Sequence, residues 1–226
     1  MPTDTIRPDD LAAIPSKGPL DPSHPASGHP ASEGAAPGRG VIFTVRHGQP
    51  DVNRKVRLSA AEYAAWWARY ELTGLKAGQT PPPSLLAKVQ DAAVVLSSTR
   101  IRAIETAQAV TQGKPFEIDP TLIEAPLPPP RWPDWLRLSP FLWGIIARFW
   151  WWYFNHHEGQ ESRAEAEARA SAVADRLTAL SLQGDVVVVA HGFFNTMVRR
   201  SLKTKGWKVV ESHGGLNYWC SRRLER

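Results

Sequence analysis

From residue 41 onward, short unbroken apolar runs alternate with longer stretches whose apolar positions recur every three or four residues. Residues 41–45 (VIFTV), 92–98 (AAVVLSS) and 185–190 (DVVVVA) are rich in β-branched residues and have the length of strands buried on both faces. Between and after them lie helical patterns: SAAEYAAWWARYEL at 59–72, TRIRAIETAQAV at 99–110, an Ala-rich run from Ser162 to about Leu182, and HGFFNTMVRRSL at 191–202. Ser59 with Glu62, and Ser162 with Glu165, have the spacing of capping boxes, which marks two helix starts. GQTPPP breaks the chain, and FEID and TLIE read as short extended pieces. Strands alternating with helices predict an α/β fold, a three-layer sandwich with a mostly parallel central sheet flanked by helices.

Residues 1–40 lack either period and are crowded with Pro, Gly, Ala and Ser, which reads as a disordered Pro/Gly-rich leader before a single domain over 41–226. The leader carries Asp4, Asp9, Asp10, Asp21 and Glu33 and has no basic segment followed by an apolar one, so a secretory or transit peptide is not expected. The one cysteine, Cys220, excludes a disulfide framework and a cysteine metal cluster, and fits a reducing cytoplasm. Outside the leader, 24 basic residues face 17 acidic ones. That surplus suits an anionic ligand without choosing among phosphate, nucleic acid and lipid headgroup.

In open α/β sheets the functional crevice lies beyond the carboxyl ends of the strands. The run 41–45 leads into Arg46, His47 and Gly48, the run 185–190 into His191 and Gly192, and the run 92–98 into a helix whose first turn holds Arg102. Two imidazoles and two guanidiniums thus converge on one edge. The simplest chemistry for that set is phosphoryl transfer, with a neutral imidazole as nucleophile and arginines on the non-bridging oxygens. A second, protonated histidine is expected to add to the cationic clamp.

VRHGQPDVN at 45–53 resembles the Arg-His-Gly signature of the histidine phosphatase (phosphoglycerate mutase-like) superfamily, SSTRIRAIETAQ at 97–108 its S-S-x-x-x-R-A-x-x-T-A segment, and VVVVAHG at 186–192 its second-histidine strand. The three motifs stand in the family's order. The resemblance implies His47 as the nucleophile that becomes phosphohistidine, His191 as the second pocket histidine, and Arg46, Arg102, Asn53 and Gly48 around the phosphate. It also implies an acidic proton donor within TLIEAPLP, which points to Glu124, and a reaction with no metal or cofactor. The chain departs from the family pattern in three places. Gln49 and Pro50 follow the Arg-His-Gly, a Trp-containing helix replaces the usual L-T-x-x-G-x-x-Q-A stretch, and PLPPPRWPDWLRLSPFLWGIIARFWWWYF follows Glu124.

The activity expected is phosphomonoester hydrolysis, and two alternatives stay open: a non-catalytic anion- or membrane-surface-binding member of the same fold, and a phosphomutase. Glu161 in EGQES serves the site or the first turn of the following helix. His156 and His157 are neighbours that do not share a helix face, so a metal pair is not expected. His24, His29 and His213 receive no role, and Arg100 is assigned to solvent. The insertion at about 131–157 contains a segment, 138–154, that is apolar around nearly its whole circumference, which argues against a simple surface helix. At 17 residues it is short of the roughly 20 needed to span a bilayer. A lid or core helix, a peripheral membrane contact and a dimer interface remain open for it, and the lid reading favours a small phosphorylated substrate with an apolar moiety. Basic residues Arg199, Arg200, Lys203, Lys205, Lys208, Arg222, Arg223 and Arg226 carry no recognised nucleic-acid motif, so no nucleic-acid partner is expected.

Overall fold

The computed structural model describes residues 40–226; all but the last residue of the leader, with His24 and His29, lies outside the described residues. Six strands form one sheet: β1 (Ile42–Arg46), β2 (Val94–Ser97), β3 (Glu117–Ile118), β4 (Val186–Ala190), β5 (Lys208–His213) and β6 (Ser221–Glu225). Their order is β3-β2-β4-β1-β6-β5. The first four in that order run parallel, and β6 and β5 add an antiparallel edge. The helices are α1 (Ala60–Glu71), α2 (Pro83–Asp91), α3 (Ile101–Thr111), α4 (Pro140–Phe154), α5 (Arg163–Leu180) and α6 (Gly192–Thr204).

The three apolar runs of the sequence become the neighbouring strands β2, β4 and β1, and their side chains alternate between two cores. Ile42, Leu96, Val186 and Val188 pack with α5 and α6 through Leu177 and Phe194. Phe43, Val45, Val95, Val187 and Val189 pack with α2 and α3 through Leu85, Val89, Ala107 and Val110. Each such valine contributes on the order of 1.5–3 kcal/mol by leaving water, so these short strands are held by their contents on both sides. Both capping boxes form, at Ser59 with Glu62 and Ser162 with Glu165.

A third cluster lies apart, where Tyr63, Trp66 and Tyr70 of α1 meet Trp143 of α4. Tyr63 stacks on Trp66 at 5.9 Å and on Trp143 at 6.0 Å between ring centroids. Buried indoles need a partner for their N–H, and here Trp143 donates to the Leu58 carbonyl and Trp151 to that of Glu161.

The structure corrects several sequence expectations. Residues 140–154 do form a surface helix: Trp143, Gly144, Ala147 and Trp151 are buried, while Phe141, Ile145, Phe149 and Tyr153 face outward. TLIE is not a strand; a 3-10 turn at Pro120–Leu122 occupies it, with the Asp119 carboxylate accepting the Thr121 N–H. Helix α2 starts at the prolines read as a break, because Pro is tolerated where the first turn needs no N–H. A strand that the sequence pattern does not predict ends at His213: β5 is a mostly exposed edge strand with a bulge at Val209/Glu211, and its polar alternation carries no buried-strand signal.

Candidate active site

The carboxyl ends of β1, β2 and β4 bring the histidines and Arg102 together. The rings of His47 and His191 lie 5.2 Å apart, edge to face, and both side chains are buried. His47 Nδ1 is 2.7 Å from the Gly48 carbonyl, which can only accept, so Nδ1 carries the proton and Nε2 keeps its lone pair. The Gly48 N–H donates to Thr106 Oγ1 (2.9 Å), which donates in turn to the Arg102 carbonyl (2.6 Å), tying the first loop to α3. Glycine is needed there because an added Cβ would come within 2.4 Å of the Trp219 ring. His191 heads α6 and lies between Ser98 Oγ (2.9 Å from Nε2) and Arg102 Nη2 (3.4 Å from Nδ1). Since the guanidinium only donates, Nδ1 accepts and the Nε2–H is given to Ser98.

Arg102 is fully buried over the Tyr70 ring. Its Nη1 donates to the Tyr70 carbonyl (3.0 Å) and its Nη2 to Glu71 Oε1 (2.7 Å). The other oxygen of Glu71 lies 2.7 Å from Arg100 Nε, so Arg100 is a half-buried ion-pair partner rather than a solvent residue. Arg46 donates to the Leu216 carbonyl at 2.6 Å and stacks over Tyr218. The Nε atoms of both Arg46 and Arg102 are buried with no hydrogen-bond partner among the described residues. An unsatisfied donor on a charged group costs more than the roughly 1–3 kcal/mol of a neutral one, and an anion with several acceptor oxygens is its chemical complement.

Burial, then the charges of Arg102 and Arg46, holds His47 well below the ordinary imidazole value, with the Gly48 carbonyl pulling weakly the other way. Burial, then His47 and Arg102, does the same to His191. In this arrangement both shifts favour the neutral imidazole near pH 7.

Beside His47 opens a cavity of about 670 Å³. Arg46, Arg54, Arg148, Arg199 and Arg222 line it against a single carboxylate, Glu124. Burial, with Arg222 nearby, lowers Arg199 to about 10. Tyr63, Trp66 and Trp67 of α1 and Phe141 of α4 form an aromatic wall. The Glu124 carboxyl group lies at the start of α6, where its oxygens accept the N–H groups of Phe194 (2.7 Å) and Phe193 (3.3 Å).

Asn53 does not join this group. It is exposed, its Oδ1 accepts the Lys55 N–H, and its place at the cavity is taken by its neighbour Arg54, which donates to the Tyr218 hydroxyl. Glu161 belongs to a bidentate ion pair with Arg169, 2.6 Å at each oxygen. His156 and His157 bond separate carbonyls, those of Pro129 and Gln160, and no group of three or more metal-ligating side chains occurs among the described residues. Sequence reading missed Arg54 and Glu71. Arg54 follows the quoted motif directly, whereas nothing local marks Glu71, the last residue of an amphipathic helix.

The family model described as "Histidine phosphatase superfamily (branch 1)" matches residues 42–220. No curated protein matches the chain. Solved structures with a likeness to it include the ecdysone phosphate phosphatase of Bombix mori with tungstate, at 13% identity over 83% of this chain and 90% of that one, TM-score 0.49. Others are a mycobacterial glucosyl-3-phosphoglycerate phosphatase with VO3, at 22% identity over 72% and 81%, TM-score 0.48, and an Entamoeba histolytica phosphoserine phosphatase mutant with phosphoserine, at 15% over 73% and 80%, TM-score 0.47.

Proposed function

The chain belongs to the histidine phosphatase superfamily, and from that premise we propose that it hydrolyses a phosphate monoester by way of a phosphohistidine at His47. One observation carries the reading. A neutral imidazole, its Nδ1 tied to the Gly48 carbonyl and its Nε2 left unprotonated, lies by a cavity whose arginines include a buried, unsatisfied donor on Arg46, with the like donor of Arg102 buried behind it. His47 Nε2 attacks phosphorus as the bond to the leaving oxygen breaks, and Glu124 gives that oxygen a proton. Water then attacks phosphorus, Glu124 takes a proton from it, and the phosphorus–nitrogen bond breaks to return His47 and inorganic phosphate. Arg46 and Arg102 oppose the charge on the transferring group with His191 beside them, and Gly48, whose N–H is given to Thr106, acts through its carbonyl on the His47 tautomer. Asn53, turned to solvent, is left out of this scheme. For Glu124 the support is that no other carboxylate lines the cavity.

The substrate class follows from the same cavity, where arginines favour an anion and the aromatic wall favours an apolar body beside it. The lone cysteine supports a cytoplasmic setting.

Nitrophenyl phosphate tests the proposal. Turnover is expected in the natural chain and is expected to fall to background in His47→Ala, and quenching during turnover with alkaline denaturant is expected to trap a base-stable phosphoprotein that loses its phosphate on later acid treatment. An active preparation that yields no such species removes His47 from the nucleophile's role. Anion binding without turnover of any phosphorylated compound would leave the binding alternative, and transfer to a second hydroxyl in place of water would make the protein a mutase.

A further inference from the structure

We propose that the outward face of α4 docks on an anionic membrane surface. The proposal stands apart from the catalytic one in its test: Phe141, Arg54 and Arg148 border both sites, whereas Ile145, Phe149, Lys55 and Arg57 do not line the large cavity. Phe141, Leu142, Ile145, Phe149 and Tyr153 are all substantially exposed, from 45% to 68%. Residues four apart on a helix are displaced by only about 40°, so these five tile a continuous arc of about 120°. Trp152 lies within the arc, half-buried, and Phe154, outside it by angle, is exposed at the helix end with its ring 5.9 Å from that of Phe149. Elsewhere among the described residues the large exposed apolar side chains occur no more than one to an element, as on any protein surface.

The charge around this arc selects the occupant. α4 carries one charged residue, Arg148. On one flank a shallow groove is lined by Arg148 and Arg200 with Trp152 and Tyr153, and on the other by Arg54, Lys55 and Arg57 with Leu142; no acidic side chain lines either. Arg163 and Arg200 stack on Trp152 at 3.9 and 5.0 Å, which adds Arg163, itself paired with Glu167, to the rim. A second copy meeting this face would set basic rim against basic rim. Anionic headgroups complement it. Phe, Tyr and Trp between the basic flanks are the residues that settle at the boundary of headgroups and acyl chains. With 15 residues α4 lies in that plane, and among the described residues no helix is long and apolar enough to cross a membrane.

Co-sedimentation of the full chain with vesicles of phosphatidylcholine, with and without phosphatidylglycerol, tests the assignment. Pelleting is expected with the anionic vesicles only, weakening as salt rises, and falling at least about tenfold in Ile145→Glu/Phe149→Glu. Neither residue lines the large cavity, so lipid-free turnover of nitrophenyl phosphate by that variant is expected to equal that of the natural chain. Lys55→Glu/Arg57→Glu is expected to lose the preference for phosphatidylglycerol. Failure to pellet, or pelleting that the α4 variant leaves unchanged, overturns the proposal. So does a dimer of the natural chain that the α4 variant dissociates, which would make the face a contact between copies.

Discussion

At the residue scale, the two buried histidines make stability depend on pH. In the unfolded chain an imidazole takes up a proton below about pH 6.5, whereas burial and neighbouring arginines keep His47 and His191 neutral to lower pH. The unfolded state therefore binds more protons in that window, and stability falls as the pH drops through it, by up to about 1.4 kcal/mol per pH unit for each histidine. Denaturant titrations from neutral pH downward measure this, and vanadate is expected to flatten the profile by pairing an oxyanion with the cationic pocket. Glu71 gives a second prediction. It offsets a fully buried Arg102, so Glu71→Gln is expected to cost about 3–5 kcal/mol and to raise the KM for nitrophenyl phosphate, while Arg100→Ala, on the half-exposed arm of the pair, costs far less. His47, His191 and Arg102 were legible in the sequence because each follows a run whose β-branched residues announce a strand. Glu71 was not, since its partner is 31 positions away and only the packing of α1 on α3 brings them together. Asn53 misled for the converse reason: a motif position fixes backbone spacing, and here the loop turns its side chain outward.

At the element scale, the parallel strands and both capped helices were readable because local signals and tertiary fate agree. Ser162→Ala is expected to remove about 1 kcal/mol of stability, measured by denaturant unfolding, with kcat unchanged, since Ser162 does not line the cavity. Elements whose local pattern conflicts with their fate went unread. The edge strand β5 looks like loop because water covers most of it, and α2 hides behind prolines that only its first turn tolerates. Helix α4 is the instructive case. Composition alone could not separate a buried helix from one with a bare apolar side, because the distinction lies in what packs against it.

At the scale of the whole described chain, charge and apolar surface work over different distances. The arginine-rich cavity and the basic surplus are expected to draw anionic substrates, so kcat/KM for nitrophenyl phosphate should fall with ionic strength, and naphthyl phosphate should be preferred to phosphoserine through KM because only the former fills the aromatic wall. Equal constants for the two substrates would dismiss the wall as a selector.

The carboxylate shared by Arg100 and Arg102 closes the terminus of α1, the helix that also supplies the tyrosine and tryptophans beside the cavity. Remodelling what the protein accepts by swapping that helix would therefore strip a buried guanidinium of its counter-ion unless the graft carried an acid at its final position. Breadth of acceptance and competence for chemistry are coupled through one side chain, and variants selected for new ligands should retain an acid at position 71 or lose stability and phosphate affinity together.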